Sequence, residues 1–507
     1  MRQSVLPSRQ PNHSLILFIS LSIRLKVFSA VRWTAAAALF RIIIRLLTVA
    51  ILARLLAKED FGLMAMALVA IDFANVFADL GLNGAFMHRR NITAGERSSL
   101  FWANIFCGIF LCVMMILMSG LLSNYVYNEP RLVLVVICIS PIFIINAFSA
   151  QFRVNAEKQL LFKRVTFIDL GTSLLGLVVA GAFAKLNFGV YALVLSGLSA
   201  ATASALLSWK FFSSEWRPSW WFKFNELHRF IGMGGSIVAS NLVSQLSTSI
   251  DILLGGKLLG AAPLGHYSVL RNMALQVNLT INPIISRVGL PVIAEVQDNF
   301  ARVRGAYLKA TATASAITAP MYVGLAFFSD QAVELLLGPS WADSGSLFRV
   351  LILWAAIRSL ASPIASLLLG VGRANLQLMW NLCLLVVTPF ALFLGYYAAL
   401  QTGRCDPTTG MAYSLLVLAV LAFLPIWRFL VWPLCHISLR DYIITTLKPF
   451  GLSIIAISPA YFAFLMFSNH GLVSLTACFA WAVFNYLVIS LKYNREWVGL
   501  MREFLKV

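Results

Sequence analysis

Apolar residues recur along this chain in long runs broken by short polar stretches, from about residue 29 to about residue 491. A helix needs about 20 apolar residues to cross the hydrocarbon core, and on that rule the runs predict about fourteen spans. They lie near 29–56, 61–86, 98–122, 131–150, 165–184, 188–212, 229–256, 264–292, 305–328, 345–371, 375–399, 410–434, 447–467 and 471–491. The stretch from Leu15 to Ile23 is too short to cross and has no small-residue cleavage site after it, so it reads as an interfacial segment or an extension.

Polar residues inside the spans keep helical spacing, which places them on single faces. Span 1 carries Thr34, Ala38, Arg41, Arg45 and Thr48 on one face, and span 2 carries Asp72, Asn75, Asp79 and Asn83. Span 7 has Ser240, Ser244, Ser247, Thr248 and Asp251; span 8 has Arg271, Asn278 and Asn282, with Pro283 expected to bend it. Polar side chains at bilayer depth face protein or a water-filled cavity, so these stripes predict a cavity lined by spans 1, 2, 7 and 8.

The same four spans are related by an internal repeat. Arg54-Leu55-Leu56-Ala57-Lys58-Glu59-Asp60-Phe61-Gly62 joins spans 1 and 2, and Lys257-Leu258-Leu259-Gly260-Ala261-Ala262-Pro263-Leu264-Gly265 joins spans 7 and 8. Tyr127-Asn128-Glu129-Pro130 and Leu337-Gly338-Pro339-Ser340 follow at a similar offset. A repeat six spans apart keeps its orientation, which is the parallel plan of some transporters. The expected fold is an all-α polytopic membrane protein with two six-helix lobes and a terminal helix pair. Its parts are an N-terminal segment 1–28, an N-lobe 29–212, a linker 213–228, a C-lobe 229–434 and a final section 435–507.

Composition agrees with lipid solvation: 60% of residues are hydrophobic and 12% charged, where soluble domains carry roughly 25%. The net charge of +19 is distributed by loop. Alternate loops and the tails hold about 26 Lys and Arg residues against about 6 in the other set, which predicts cytoplasmic termini and accounts for most of the excess without nucleic acid.

The arginines inside spans are a different matter. A charge at the bilayer centre costs at least ~2.5–3.5 kcal/mol, so Arg41 and Arg45 need partners. Asp72 or Asp79 on the next helix would serve, and so would an anionic ligand. Arg358, with Ser359 and Ser362, is a further cavity candidate, while Arg349 reads as snorkelling to the outer interface. Asp251 reads equally as a protonatable coupling carboxylate or a hydrogen-bonded structural acid. Asp169, near the start of span 5, reads as a helix N-terminal or interfacial acid, the acidic stretch Asp330, Glu334 and Asp343 as turn chemistry, and His88, His228, His266, His436 and His470 as solvated span-end residues. The seven cysteines have no metal-like spacing, and the chain lacks a Walker motif, HExxH, CxxC and a dinucleotide fingerprint. No metal or cofactor is expected.

The run Ile51-Leu52-Ala53-Arg54-Leu55-Leu56-Ala57-Lys58-Glu59-Asp60-Phe61-Gly62-Leu63, then Asp79-Leu80-Gly81-Leu82, resembles the start of Wzx-type polysaccharide-transporter flippases, in the superfamily of the multidrug and toxin (MATE) extruders. Glu96-Arg97-Ser98-Ser99-Leu100-Phe101-Trp102, Leu264-Gly265-His266-Tyr267 and Leu290-Pro291 continue the likeness, closest in kind to colanic-acid and succinoglycan exporters. Met87-His88 departs from the glutamine-containing end that often follows span 2. The resemblance implies a V-shaped pair of lobes that carries an undecaprenyl-diphosphate-linked oligosaccharide across the bacterial inner membrane. It implies a monomer whose partners are that substrate, membrane lipid and a polysaccharide polymerase or co-polymerase, with no nucleic acid. It places Arg54 where the family motif has its arginine, and a cationic cavity suits a diphosphate. The expected substrate-binding residues are then Arg41, Arg45, Arg54, Lys257, Arg271 and Arg358, with Asp72, Asp79 and Asp251 as ion-coupling candidates. The rival readings are a cation-coupled multidrug extruder, which would favour an acidic cavity, and a membrane glycosyltransferase or polymerase, which the short outer loops disfavour.

Overall fold

The computed structural model describes residues 40–78, 86, 92–159, 161–214, 216–466 and 472–493. Among them there is no strand, and ten helices are long and apolar enough to cross a membrane. The first helix, α1, covers 40–55. It is followed by α2 (Lys58–Ala78), α3 (Ala94–Leu121, ending in a π-turn Leu122–Tyr127), and α4 (Leu132–Ile139) with α5 (Ile142–Lys158), split at Pro141. Helices α6 (Phe162–Lys185) and α7 (Val190–Phe212) complete the N-terminal half.

The C-terminal half begins with α8 (Phe224–Leu259) and α9 (Ala261–Glu295). These two helices are 36 and 35 residues long, yet they fall outside the ten apolar spans. They carry the serine, threonine, asparagine, aspartate and arginine stripes of spans 7 and 8. Helix α10 (Phe300–Phe327), α11 (Ser329–Leu337), α12 (Gly345–Leu360) and α13 (Ser362–Gly370) follow, then α14 (Ala374–Thr402) and α15 (Pro407–Ile426). A π-turn at Trp427–Val431 and a short α16 (Trp432–Cys435) lead to α17 (Leu439–Met466) and α18 (Leu472–Tyr493).

Several helices run one or two turns beyond the apolar run. Helix α5 continues to Lys158, α10 begins before Arg302 and Arg304, and α17 begins at Leu439, before Arg440 and Lys448. Hydropathy stops at the first charges, whereas backbone hydrogen bonding continues into the polar interface. Side-chain caps set the starts. Thr93 and Glu96 form a capping box on α3, and the Asn299 side chain accepts from the amides of Ala301 and Arg302 on α10. Gly260, at φ +80°, makes the one-residue corner between α8 and α9, a backbone conformation that L side chains rarely adopt.

The largest buried cluster spans both halves. It joins Leu63, Met66 and Val136 of the first to Leu264, Leu270, Trp341 and Phe348 of the second. The segment between the halves lies along α3: Trp102 Nε1 donates to the Ser219 carbonyl at 2.9 Å, and its ring stacks on Trp220 with centroids 4.6 Å apart.

Candidate functional site

One end of the molecule is closed by the crossing of α2 and α9. A side-chain carbon on Gly62 would collide with the Ala261 carbonyl, and one on Gly265 with the Lys58 carbonyl, so the two backbones touch. Around that crossing, Trp341 Nε1 donates to the Ala53 carbonyl at 3.1 Å, and the Lys58 ammonium lies 4.9 Å from the Trp341 ring centre. Arg54 donates to the Leu335 carbonyl at 2.8 Å, and the Tyr127 ring fills the space a Cβ on Gly256 would need. The predicted cavity arginine Arg54 and the exposed Lys257 therefore lie at the sealed end, away from the other basic candidates. His266 is not solvated as expected: it is half-buried, its Nε2 lies 2.7 Å from Ser344 Oγ, and its ring meets Trp341 edge-on.

Past this seal the faces of α1 and α2 open. Leu68, Asp72 and Asn75 are exposed on α2, as are Arg41 and Arg45 on α1. Arg41 pairs with Asp169 of α6 at 3.5 Å, rather than with Asp72. Arg153 of α5 holds the same carboxylate at 2.6 Å and donates to Ser204 Oγ at 3.0 Å. Arg45 stands one turn from Arg41 and, among the described residues, has no hydrogen bond or ion pair. The N-terminal half thus holds two arginines on one aspartate, with Arg45 a turn from Arg41, a local excess of positive charge. Asp169 is shared by the two guanidiniums of Arg41 and Arg153, a pairing the sequence did not indicate. Sequence reading missed Arg153 because it counted that residue among the loop cations, while α5 carries it inward against α6 and α7.

The C-terminal half holds a second group. Asp251 is buried and bonded on both oxygens. It accepts from Tyr267 Oη at 2.8 Å and from Arg271 Nε and Nη2, the latter at 3.0 Å. Arg271 Nη2 also donates to the Thr248 carbonyl at 2.6 Å, so its Nε and Nη2 are both engaged within the protein. Of the two readings of Asp251, this geometry is that of a structural acid. Arg358 is different: it is exposed, and its recorded partner is the Trp354 ring, 5.5 Å away, whose centre lies 5.8 Å from Arg271. Asp72 is exposed without a partner among the described residues, and Asp79 lies outside them. Arg349 is tied to Asp330 at 2.7 Å and to Ser329, so it staples α12 to α11.

A family model described as polysaccharide biosynthesis protein matches residues 51–346. The chain is 27% identical over 444 residues to the lipopolysaccharide biosynthesis protein WzxC of Escherichia coli (strain K12), covering 87% of this chain and 88% of that one. It is also 27% identical over 429 residues to the teichuronic acid biosynthesis protein TuaB of Bacillus subtilis (strain 168), covering 85% and 87%. Among solved structures, the lipid II flippase MurJ in an inward closed conformation superposes with a TM-score of 0.70, over 92% of this chain and all of that one, at 13% identity. That likeness is one of fold.

Proposed function

The chain belongs to the polysaccharide biosynthesis protein family, and on that premise we propose that it flips a lipid-linked oligosaccharide across the bacterial inner membrane by alternating access. The carrying observation is the partner-free Arg45 one helical turn from Arg41 of the Arg41–Asp169–Arg153 cluster, on helix faces that open away from the α2–α9 seal. A diphosphate on a polyprenyl carrier is a dianionic or more highly charged group with bidentate acceptors, which arginine forks match. Charge at this depth also weighs against an organic-cation extruder. The relatives' names, lipopolysaccharide and teichuronic acid biosynthesis, support a polymer precursor as cargo.

The loop charges support cytoplasmic termini; with that orientation the sealed end is periplasmic and the conformation inward-facing. The two moving bodies are the lobes 29–212 and 229–434, joined by the linker 213–228, with 435–507 as an added pair and tail. The chain works as a monomer beside a polysaccharide polymerase or co-polymerase. Asp72, exposed and unpaired in the described structure, is the carboxylate best placed to carry a coupling ion, whereas Asp251 is held by Arg271.

The test is export in cells lacking the native protein. The Arg41→Gln/Arg45→Gln double variant should reach the membrane at normal level and export little or no polymer. Normal export by that variant sinks the assignment of the diphosphate site.

A further inference from the structure

Behind the Asp251–Arg271 pair lies a cavity of about 250 Å³ inside the C-terminal half. It runs from Asp251 and Trp354 at mid-helix to Tyr442 near the start of α17, and α8, α12, α14 and α15 contribute to its walls. Its volume is below the roughly 300–1,000 Å³ of pockets for drug-sized ligands, which suits one ring-sized group. Two indoles, Trp354 and Trp380, supply flat apolar walls, while Thr248, Gln377 and Asn381 supply hydroxyl and amide groups. Arg358 supplies the charge.

The charge balance is one-sided. Asp251 reaches the cavity wall, but Arg271 already neutralises it. Arg358 makes no hydrogen bond or ion pair in the described structure, although Ser359 and Leu360 beside it are buried. A charge kept without a partner at bilayer depth is costly, which argues for a ligand that completes it. One guanidinium fork matches one carboxylate. A diphosphate has more charge than a single arginine balances, and the Arg41–Arg45–Arg153 group of the other half suits it better. Indole faces with nearby amides and a hydroxyl are what a pyranose ring uses: its C–H faces stack and its hydroxyls hydrogen-bond.

We propose that this cavity is a subsite for a single acidic sugar residue of the repeat unit, with the carboxylate of a uronate on Arg358 and its ring between Trp354 and Trp380. The inference rests on the flippase reading for its biological meaning, though not for its test. It makes the C-terminal half the reader of the glycan and the N-terminal half the holder of the diphosphate.

The full-length protein in lipid nanodiscs is titrated with methyl glucuronide, methyl glucoside and inorganic pyrophosphate while its thermal unfolding is followed. The glucuronide should stabilise the protein at concentrations where the glucoside does not. Arg358→Gln should weaken the glucuronide response about tenfold or more, the loss expected for a charge-assisted pair. Arg358→Lys should keep part of it, and the pyrophosphate response should survive both changes. The subsite is overturned if wild-type protein does not prefer glucuronide to glucoside, or if Arg358→Gln leaves that preference intact. It is also overturned if pyrophosphate, not glucuronide, depends on Arg358, which would assign the cavity to the carrier diphosphate. Export by the Arg41→Gln/Arg45→Gln variant is scored separately. Normal export with an Arg358-dependent glucuronide response would remove the diphosphate site and leave the sugar subsite standing.

Discussion

Gly62 and Gly265 stand 203 positions apart at equivalent places in the repeat, and each presses on the other's helix. Gly62 meets the carbonyl of Ala261, and Gly265 meets that of Lys58, itself 203 positions from Ala261. The contact is therefore reciprocal, as a pseudo-twofold axis through the crossing of α2 and α9 requires. Small residues at such a point let backbones approach closely, the usual way helices associate in lipid, where no hydrophobic force draws them together.

A methyl group at either glycine has nowhere to go, so the helices must part. Gly62→Ala and Gly265→Ala should each weaken the seal by about 1–3 kcal/mol, the range for overpacking. Cysteines placed next to the crossing should become more reactive to a water-soluble maleimide. Gly171→Ala, where a Cβ meets nothing within 4 Å, is the control and should behave as wild type. Equal reactivity in all three variants would show that the crossing is not what closes this end.

Trp341 tests the same seal through a hydrogen bond. Trp341→Phe keeps an aromatic ring near Phe61 and Lys58 but removes the donor to the Ala53 carbonyl. A net loss of about 0.5–1.5 kcal/mol is expected. The change should shift the protein toward an outward-open state, read as a longer distance between spin labels on α2 and α9. An unchanged distance distribution would mean that the bond does not contribute to closure.

Asp251 separates a structural acid from a coupling acid. Asp251→Asn leaves Arg271 charged and buried, and breaking such a pair costs about 3–5 kcal/mol. A large drop in thermal stability is expected. The double variant Asp251→Asn/Arg271→Met should recover much of it. Should Asp251→Asn unfold at the wild-type temperature while export loses its dependence on the proton gradient, Asp251 is the coupling group after all.

Asp169 predicts an order of severity. Arg41→Gln still leaves Asp169 with Arg153, whereas Asp169→Asn leaves both guanidiniums without their carboxylate. Asp169→Asn should therefore lower the amount of folded protein in the membrane, by about 1–3 kcal/mol of lost charged hydrogen bonding. Arg41→Gln should leave the amount unchanged. The fraction of monodisperse protein after extraction measures both, and the reverse order would contradict the shared carboxylate.

Much of this architecture is local information. Lipid solvation demands long apolar helices and puts charges in the loops between them, so the helix positions and the loop bias are written directly in the residues. The repeat was equally legible, because Gly62 and Gly265 sit in matching runs. The stripes on spans 1, 2, 7 and 8 also placed Arg41, Arg45, Arg271 and Asp251 on interior-capable faces. What the sequence could not supply was the neighbour of each face. Asp169 lies 128 positions from Arg41, and only the packing of α1 against α6 makes them a pair. Arg54 and Lys257 share the basic chemistry of Arg45, yet the crossing of α2 and α9 assigns them to the seal. Arg358 and Trp380 come together because α12 and α14 enclose one cavity. Periodicity tells which side of a helix is polar; which helix answers it depends on the three-dimensional packing of the whole bundle.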